Sequence, residues 1–317
     1  MNERPCVLCI VGPTACHKTE VSVRLAKELN GEIVSADSVA IYRGLDIGSA
    51  KPNEIERDGI PHWLLDCIEP NDTGFSVAVY QKMAHEAIDD ILSRGKLPIV
   101  VGGSGMYSDA IFSNLSFSIP SDPEVRATWE QAYEADRTKT WLYLCSIDPK
   151  TAERLHPNDK KRVVRAIEVY ELSQKPFSEW NQDFLEVQKC GNQYRAMRIG
   201  LDMSRERLYE RIGLRVHRMM EQGLKEEAYG LFDRGLTPQY PSMQSIGYAQ
   251  LYEAYMGRCT VEEAVEKIIL DTRHFAKRQL TWFRRNPSIR WFHLDAYDSV
   301  ERLTSDLVQY FWRFYEK

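Results

Sequence analysis

The sequence predicts an α/β fold, a parallel sheet flanked by helices and carrying a mainly helical insertion, and three observations predict it. Short apolar runs alternate with helical stretches in the first third of the chain, which is the grammar of strand, crossover and parallel strand. Each run breaks at a glycine or a small polar residue. A charged, proline-broken stretch without such runs then separates this part from a further apolar run.

The elements follow in order. Residues 7–11 are uninterrupted apolar sequence ending at Gly12, the pattern of a strand buried on both faces. Residues 18–30 read as a helix, with Val21, Leu25, Ala26 and Leu29 on one face and Asn30-Gly31 as its stop. A second strand is expected over 32–36, a helix over 78–92 and a third strand over 97–101, ending at Gly102-Gly103. Residues 122–185 are charged and helix-rich, with Pro120, Pro123, Pro149, Pro157 and Pro176 as breaks. Within them, 141–147 is rich in strand formers yet too short for its period to decide. Residues 196–201 read as another core strand, and helical patterns run from Ser204 to the end. The expected organisation is a core of 1–120 and 200–317, with a helical insertion over 121–199.

Composition excludes several classes. The chain has 317 residues, 43% hydrophobic and 27% charged, which is ordinary for a globular protein with a full core. A net charge of −5 advertises no global basic field, so any nucleic-acid contact must be local. No apolar run approaches the ~18 residues of a membrane span. Residues 1–5 carry one basic side chain and lead directly into the first strand, so no secretory leader and a cytoplasmic location are expected. Cysteines at 6, 9, 16, 67, 145, 190 and 259 read as reduced thiols. Cys6 and Cys9 have no second pair to complete a zinc site and lie on opposite faces of a strand, which favours structural thiols. The histidines form no ligand cluster, so a structural metal has no support.

The strongest local feature is Gly12-Pro13-Thr14-Ala15-Cys16-His17-Lys18-Thr19 between a strand and a helix. It has the frame of the phosphate-binding loop, which makes the core P-loop NTPase-like. In that frame backbone N–H groups and a helix N-terminus cradle phosphate, the lysine meets its charge and the hydroxyl can hold Mg²⁺. His17 stands where the frame has its second glycine. If that position needs positive φ, a Cβ is costly, although His tolerates it better than most residues. The imidazole then either narrows the cradle or adds a cation for phosphate.

Two further features converge on the same edge, and a third is a candidate for phosphate. Asp37-Ser38 follow the second strand, and ligands of open α/β sheets sit outside the carboxyl ends of strands. Asp37 is a general base, a carboxylate supporting a metal, or the cap of an Asx turn. Gly102-Gly103-Ser104-Gly105 brings close backbone and a hydroxyl to the end of the third strand. Arg207, Arg211, Arg215 and Arg218 share one helix face opposite Leu208, Ile212, Val216 and Met219. That stripe is either a solvated face balanced by Glu206 and Glu210 or a phosphate-facing one.

Residues 273–290 carry six Lys/Arg and no Asp or Glu, interleaved with Phe275, Trp282 and Phe283, a composition that suits an unpaired RNA loop. Phe275, Leu280 and Phe283 are expected to form a buried face and Arg273, Lys277, Arg278 and Arg284 to face RNA in part. Lys160-Lys161-Arg162 with Arg165 is a second basic patch.

Taken together these blocks resemble the tRNA dimethylallyltransferases, also called tRNA isopentenyltransferases. The resemblance runs nearly end to end, through 12–19, Ser35-Ala36-Asp37-Ser38, Tyr42-Arg43-Gly44 and 46–52, then 102–107, His156-Pro157-Asn158-Asp159, 162–170, Ile246-Gly247-Tyr248 and 277–285. It implies transfer of a dimethylallyl group from dimethylallyl diphosphate to N6 of the adenosine 3′ of the anticodon. By position, Asp37 would be the general base and Ser104, where the family usually has Thr, would place the reacting amine. Gly12, Thr14, Ala15, Cys16, His17, Lys18, Thr19 and Arg215 would hold the diphosphate, with Mg²⁺ at Thr19. Contacts to tRNA would fall at Asp37, Ser38, Val39, Ala40 and Ser104, at Arg126, Lys161, Arg162 and Arg165 in the insertion, and at Gln244, Gly247, Tyr248, Arg273, Lys277, Arg278 and Arg284. The insertion would clamp the anticodon stem-loop, and the protein would act as a monomer away from membranes.

The chain departs from the family pattern at His17 for Gly, at Cys16 where Ser is common, and at Val39-Ala40, where Arg or Met then Gln are common. These departures motivate a second hypothesis, a tRNA-binding homologue without turnover. A small-molecule kinase using the same loop is the third, and it leaves the basic patches without a purpose.

Overall fold

The computed structural model describes residues 4–112, 119–180 and 193–316. Cys190, residues 1–3 and the end of the 122–185 stretch lie outside them. The chain divides into two compact units, Met1–Phe112 with Gln193–Lys317, and Ser113–Asn192.

The first unit opens with β1 (Cys6–Val11), α1 (Lys18–Glu28), β2 (Gly31–Ser35), α2 (Glu54–Arg57), β3 (His62–Trp63), α3 (Val77–Ser93), β4 (Leu97–Gly102) and α4 (Gly105–Phe112). The second unit holds α5 (Pro123–Ala135), α6 (Arg137–Ile147), α7 (Pro149–Arg154), α8 (Lys160–Ser173) and α9 (Phe177–Trp180). The chain then completes the first unit with β5 (Arg195–Asp202), α10 (Arg205–Glu221), α11 (Leu224–Asp233), α12 (Tyr248–Tyr255), α13 (Val261–Phe283), β6 (Arg290–His293) and α14 (Val300–Tyr315).

Six strands form one sheet in the order β3-β2-β4-β1-β5-β6, with parallel ladders throughout. Parallel strands covered by helices on both faces must be apolar on both faces, and β1 shows why the runs were legible. Val7, Cys9 and Val11 point into the layer containing Tyr80, Ile88 and Ile91 of α3. Leu8 and Ile10 point into the layer containing Val21 and Leu25 of α1. Burying a side chain such as Leu25 contributes about 1.5–3 kcal/mol, so α1 is held by its packed face more than by its propensity. Cys9 belongs to one layer and Cys6 packs against the other, so the C-x-x-C spacing pairs nothing. Burial pushes the Cys9 thiol up to about 11.

Helix α1 stops where expected, since Asn30 adopts φ 51° before Gly31 opens β2. Two strands escaped the sequence. β6 lies inside the stretch read as helical to the end, and it pairs with β5 from Ile199↔Arg290 to Asp202↔His293. It is an edge strand of four residues with exposed Arg290 and His293 at its ends, so it lacks the apolar run of a central strand. β3 has two residues and pairs only with β2. The ambiguous 141–147 segment is helical in α6, whose start is capped by Asp136 accepting from Lys139 N–H at 2.9 Å.

The second unit has its own core of Tyr133, Leu144, Ala152, Val163, Val164, Ala166 and Ile167. Beside it Glu168 is fully buried and accepts from Ser121 Oγ, Asp122 N–H, Arg126 and Arg165 at 2.7–2.9 Å. Burial opposes its charge, yet these bonds hold its carboxyl below the ordinary range. Among the described residues, no helix is long and apolar enough to cross a membrane.

Candidate active site

The loop after β1 has the conformation its motif requires. Gly12 has φ 153°, and a Cβ there would stand 2.4 Å from the Leu201 carbonyl oxygen, so no larger residue fits. Ala15 and His17 both adopt left-handed backbone, with φ 65° and 58°. Position 17 therefore does need positive φ. Its ring, however, bonds outward: Nδ1 lies 3.0 Å from Glu20 Oε2, one turn into α1. The partner found for the imidazole is a carboxylate on α1.

This geometry sets an expected result for His17→Gly. Relieving a left-handed side chain gains about 1 kcal/mol, offset by the lost Glu20 contact. Melting temperature should hold or rise, and the dissociation constant for inorganic pyrophosphate should stay within about threefold of wild type. A tenfold fall in that constant, measured by a binding titration, would place the ring in the cradle instead.

Cys16 is fully buried and its Sγ donates to the Pro13 carbonyl at 2.8 Å. Burial raises its pKa, so the thiol serves the loop as a protonated donor. Lys18 Nζ reaches across the loop to the same carbonyl at 2.6 Å. Arg211 Nε donates to the Ala15 carbonyl at 2.9 Å, fixing the peptide at one of the two left-handed positions. The Thr19 hydroxyl has no hydrogen-bond partner among the described residues.

Asp37 fulfils the turn reading and leaves the base reading open. Its Oδ1 accepts from both Val39 N–H at 2.8 Å and Ala40 N–H at 3.2 Å. Oδ2 has no partner among the described residues. Ser104 Oγ accepts from Ser38 N–H and donates to Ser38 Oγ, both at 3.0 Å. Ser104 N–H bonds the Ala36 carbonyl at 3.2 Å, and a Cβ on Gly102 would fall 2.0 Å from that oxygen. The ends of β2 and β4 are thus stitched together beside the phosphate loop.

The arginine stripe of α10 divides. Arg207 turns to Asp295 at 2.8 Å, Arg218 is exposed, and Arg211 and Arg215 face the loop. Arg215 is half-buried and makes no ion pair or hydrogen bond among the described residues. Burial lowers its pKa, and the attraction of Asp37 is the largest influence raising it. A lysine, a hydroxyl and a half-used carboxylate therefore stand at the carboxyl edge of the sheet, and Asp37 is near enough for its charge to act on Arg215. Among the described residues no three His, Cys, Asp or Glu side chains could hold a metal by themselves.

The residues expected at RNA differ in exposure and in partners: Arg284 is exposed, Arg126, Arg165 and Arg273 are half-buried, and others are buried. Tyr248 is completely buried, its hydroxyl donates to Glu227 Oε1 at 2.6 Å, and its ring covers Gly48, so its side chain cannot reach RNA. Gly247 is buried beside it in a positive-φ turn. Ala40 is buried and spends its N–H on Asp37. Arg126 and Arg165 are bound to Glu168. Arg273 is half-buried against the Tyr209 ring at 5.3 Å, and Arg284 bonds Asp202 at 2.8 Å. Lys277, Arg278, Lys161, Arg162 and Gln244 are exposed, Arg162 with Asp159 as a neighbour at 2.6 Å. Phe283 is buried, as expected, whereas Phe275 and Leu280 are half-buried.

Two residues were missed. Glu227 accepts from Asp46, Ile47 and Gly48 N–H at 2.8–3.0 Å and shapes the 46–52 block. Gln279 bonds the phosphate loop from α13. Its signal was a polar residue three positions after Ala276 on the face expected to be buried.

Comparison with known proteins identifies the family and the fold. The family model described as IPP transferase matches residues 40–286. The tRNA dimethylallyltransferase of Pelotomaculum thermopropionicum is 43% identical, covering 97% of either chain. The tRNA isopentenylpyrophosphate transferase structure from Bacillus halodurans is 39% identical with TM-score 0.73, covering 99% of this chain and 97% of that one. A eukaryotic dimethylallyltransferase acting on tRNA is 27% identical with TM-score 0.76, covering 91% of this chain and 74% of that one.

Proposed function

The chain belongs to the IPP transferase family, and on that premise we propose that it transfers a dimethylallyl group from dimethylallyl diphosphate to N6 of the adenosine 3′ of the anticodon in tRNA. The observation that carries this reading is Asp37 at the end of β2, with one carboxylate oxygen holding the turn and the other without a partner among the described residues, tied through Ser38 and Ser104 to the end of β4. The exocyclic amine of adenine is a poor nucleophile because its lone pair is delocalised into the ring. Asp37 Oδ2 accepts its proton as the C–N bond forms. The C–O bond to diphosphate breaks in the same displacement, and no covalent enzyme intermediate is needed. Lys18, Arg215 and loop N–H groups meet the charge that develops on the leaving diphosphate.

Mg²⁺ fits as a shared ligand. The Thr19 hydroxyl supplies one hard oxygen without a competing partner, and Mg²⁺ ordinarily takes its other ligands from phosphate and water. When bound it would neutralise diphosphate charge. Ser104 would orient the amine and Lys161, Arg162, Lys277 and Arg278 would contact the anticodon stem-loop backbone. The target base must leave its stack to enter the crevice. We propose that it acts as a monomer.

The test mixes full-length protein, labelled dimethylallyl diphosphate, Mg²⁺ and unmodified tRNA with an A-A-A run in its anticodon loop. Label entering tRNA is the expected result. Tight tRNA binding without label would instead support a non-catalytic homologue.

A further inference from the structure

The β1–β4 ladder ends at Val11↔Gly102. Beyond that point the two chains diverge, one into the phosphate loop and the other into the Gly103–Ser104 turn. The next link between them is a side chain from neither. Gln279, 5% exposed on the buried face of α13, accepts from Thr14 N–H through Oε1 at 2.9 Å. Its Nε2 donates to the Gly103 carbonyl, also at 2.9 Å. A Cβ on Gly103 would stand 2.2 Å from Nε2, so the carboxamide lies directly against the turn.

We infer that Gln279 is a positioning residue that locks the phosphate loop to the Gly103–Ser104 turn and so fixes the separation of leaving group and accepting amine. This rests on the function proposed above. Gly103 precedes Ser104, whose hydroxyl is bonded to Ser38 next to Asp37. Thr14 lies in the loop that Arg211 secures one peptide further on. One amide therefore joins the two halves of the reacting geometry, where an error near 1 Å costs about 10²-fold in rate. The residue type is specific to the task. Glutamate keeps the acceptor for Thr14 but sets an oxygen against the Gly103 carbonyl. Methionine fills the space and leaves both backbone groups without their partner. Asparagine is one methylene too short to span both.

The experiment compares full-length wild type with Gln279→Met and Gln279→Glu. It measures kcat, KM for dimethylallyl diphosphate and for tRNA, affinity for inorganic pyrophosphate, and melting temperature. In Gln279→Met kcat should fall about 10²-fold with KM for tRNA within about twofold of wild type. In Gln279→Glu the added negative charge near the loop should also weaken pyrophosphate binding about tenfold. A lower melting temperature with kcat, KM and pyrophosphate affinity all near wild type, below the melting range, would make Gln279 merely structural and overturn the inference. If Gln279→Met does not fold, Gln279→Glu carries the same comparison. If wild type transfers no label, the functional reading fails separately, and pyrophosphate affinity still decides whether Gln279 shapes the loop.

Discussion

Asp37→Asn should lower kcat for transfer by about 10²–10⁴-fold while RNA affinity and melting temperature stay near wild type. The substitution separates two jobs that one side chain performs. Oδ1 holds the backbone turn by accepting from Val39 and Ala40 N–H, and an asparagine carbonyl oxygen can accept the same two bonds. What asparagine cannot do is take a proton at neutral pH from the amine that attacks. The fold and the RNA site should therefore survive, and the loss should appear in kcat under saturating substrates. Single-turnover transfer together with a separate tRNA-binding titration distinguishes this from weakened docking. A variant retaining kcat within about threefold would remove Asp37 as the base and return it to the role of a turn cap.

That double role explains how much of the site could be read in advance. An Asp directly after a strand is ambiguous between turn and base, and the structure uses one oxygen for the turn without consuming the other. Local chemistry was legible where it depends on neighbours in sequence. The frame from Gly12 to Thr19 predicted strand, loop and helix, and the left-handed backbone at His17 followed from the missing glycine. Central strands were legible because burial on both faces demands uninterrupted apolar residues. β6 was not, since an edge strand of sequence Arg-Trp-Phe-His has no such demand.

Contacts made across long sequence separations were the part that stayed hidden. Arg165 reads as a member of a basic patch, yet it shares the buried Glu168 carboxylate with Arg126, 39 positions away. Tyr248 sits in a motif that resembles an RNA-contacting block, yet its hydroxyl closes on Glu227, which in turn grips three backbone N–H groups of the 46–48 segment. No pattern local to any of these residues announces such a partner. The departures at Cys16 and His17 also look different in three dimensions. The thiol supplies an internal donor to Pro13, and the imidazole is paired with Glu20, so each departure has a partner within the loop and the first turn of α1.

Arg215→Ala should reduce kcat/KM for dimethylallyl diphosphate by about 10²–10³-fold, comparable to deleting a donor aimed at developing charge. The same change should leave the melting temperature of the ligand-free protein unchanged or raise it. The second expectation follows from how Arg215 is held. It is half-buried, burial works against its charge, and it forms no ion pair or hydrogen bond among the described residues. The long-range attraction of Asp37 offsets only part of that cost. A charge kept in such a place destabilises the empty fold, and its removal relieves the penalty. On the proposed function, diphosphate would supply the missing partner, because a guanidinium fork can meet two phosphate oxygens at once. Arg215→Lys should therefore fall between wild type and Ala, keeping the charge but losing the fork. Ligand-free melting curves and steady-state kinetics on the three proteins provide the check. A melting temperature that drops sharply in Arg215→Ala, with kcat/KM preserved, would make Arg215 a packing residue and assign the leaving group to Lys18 and the loop.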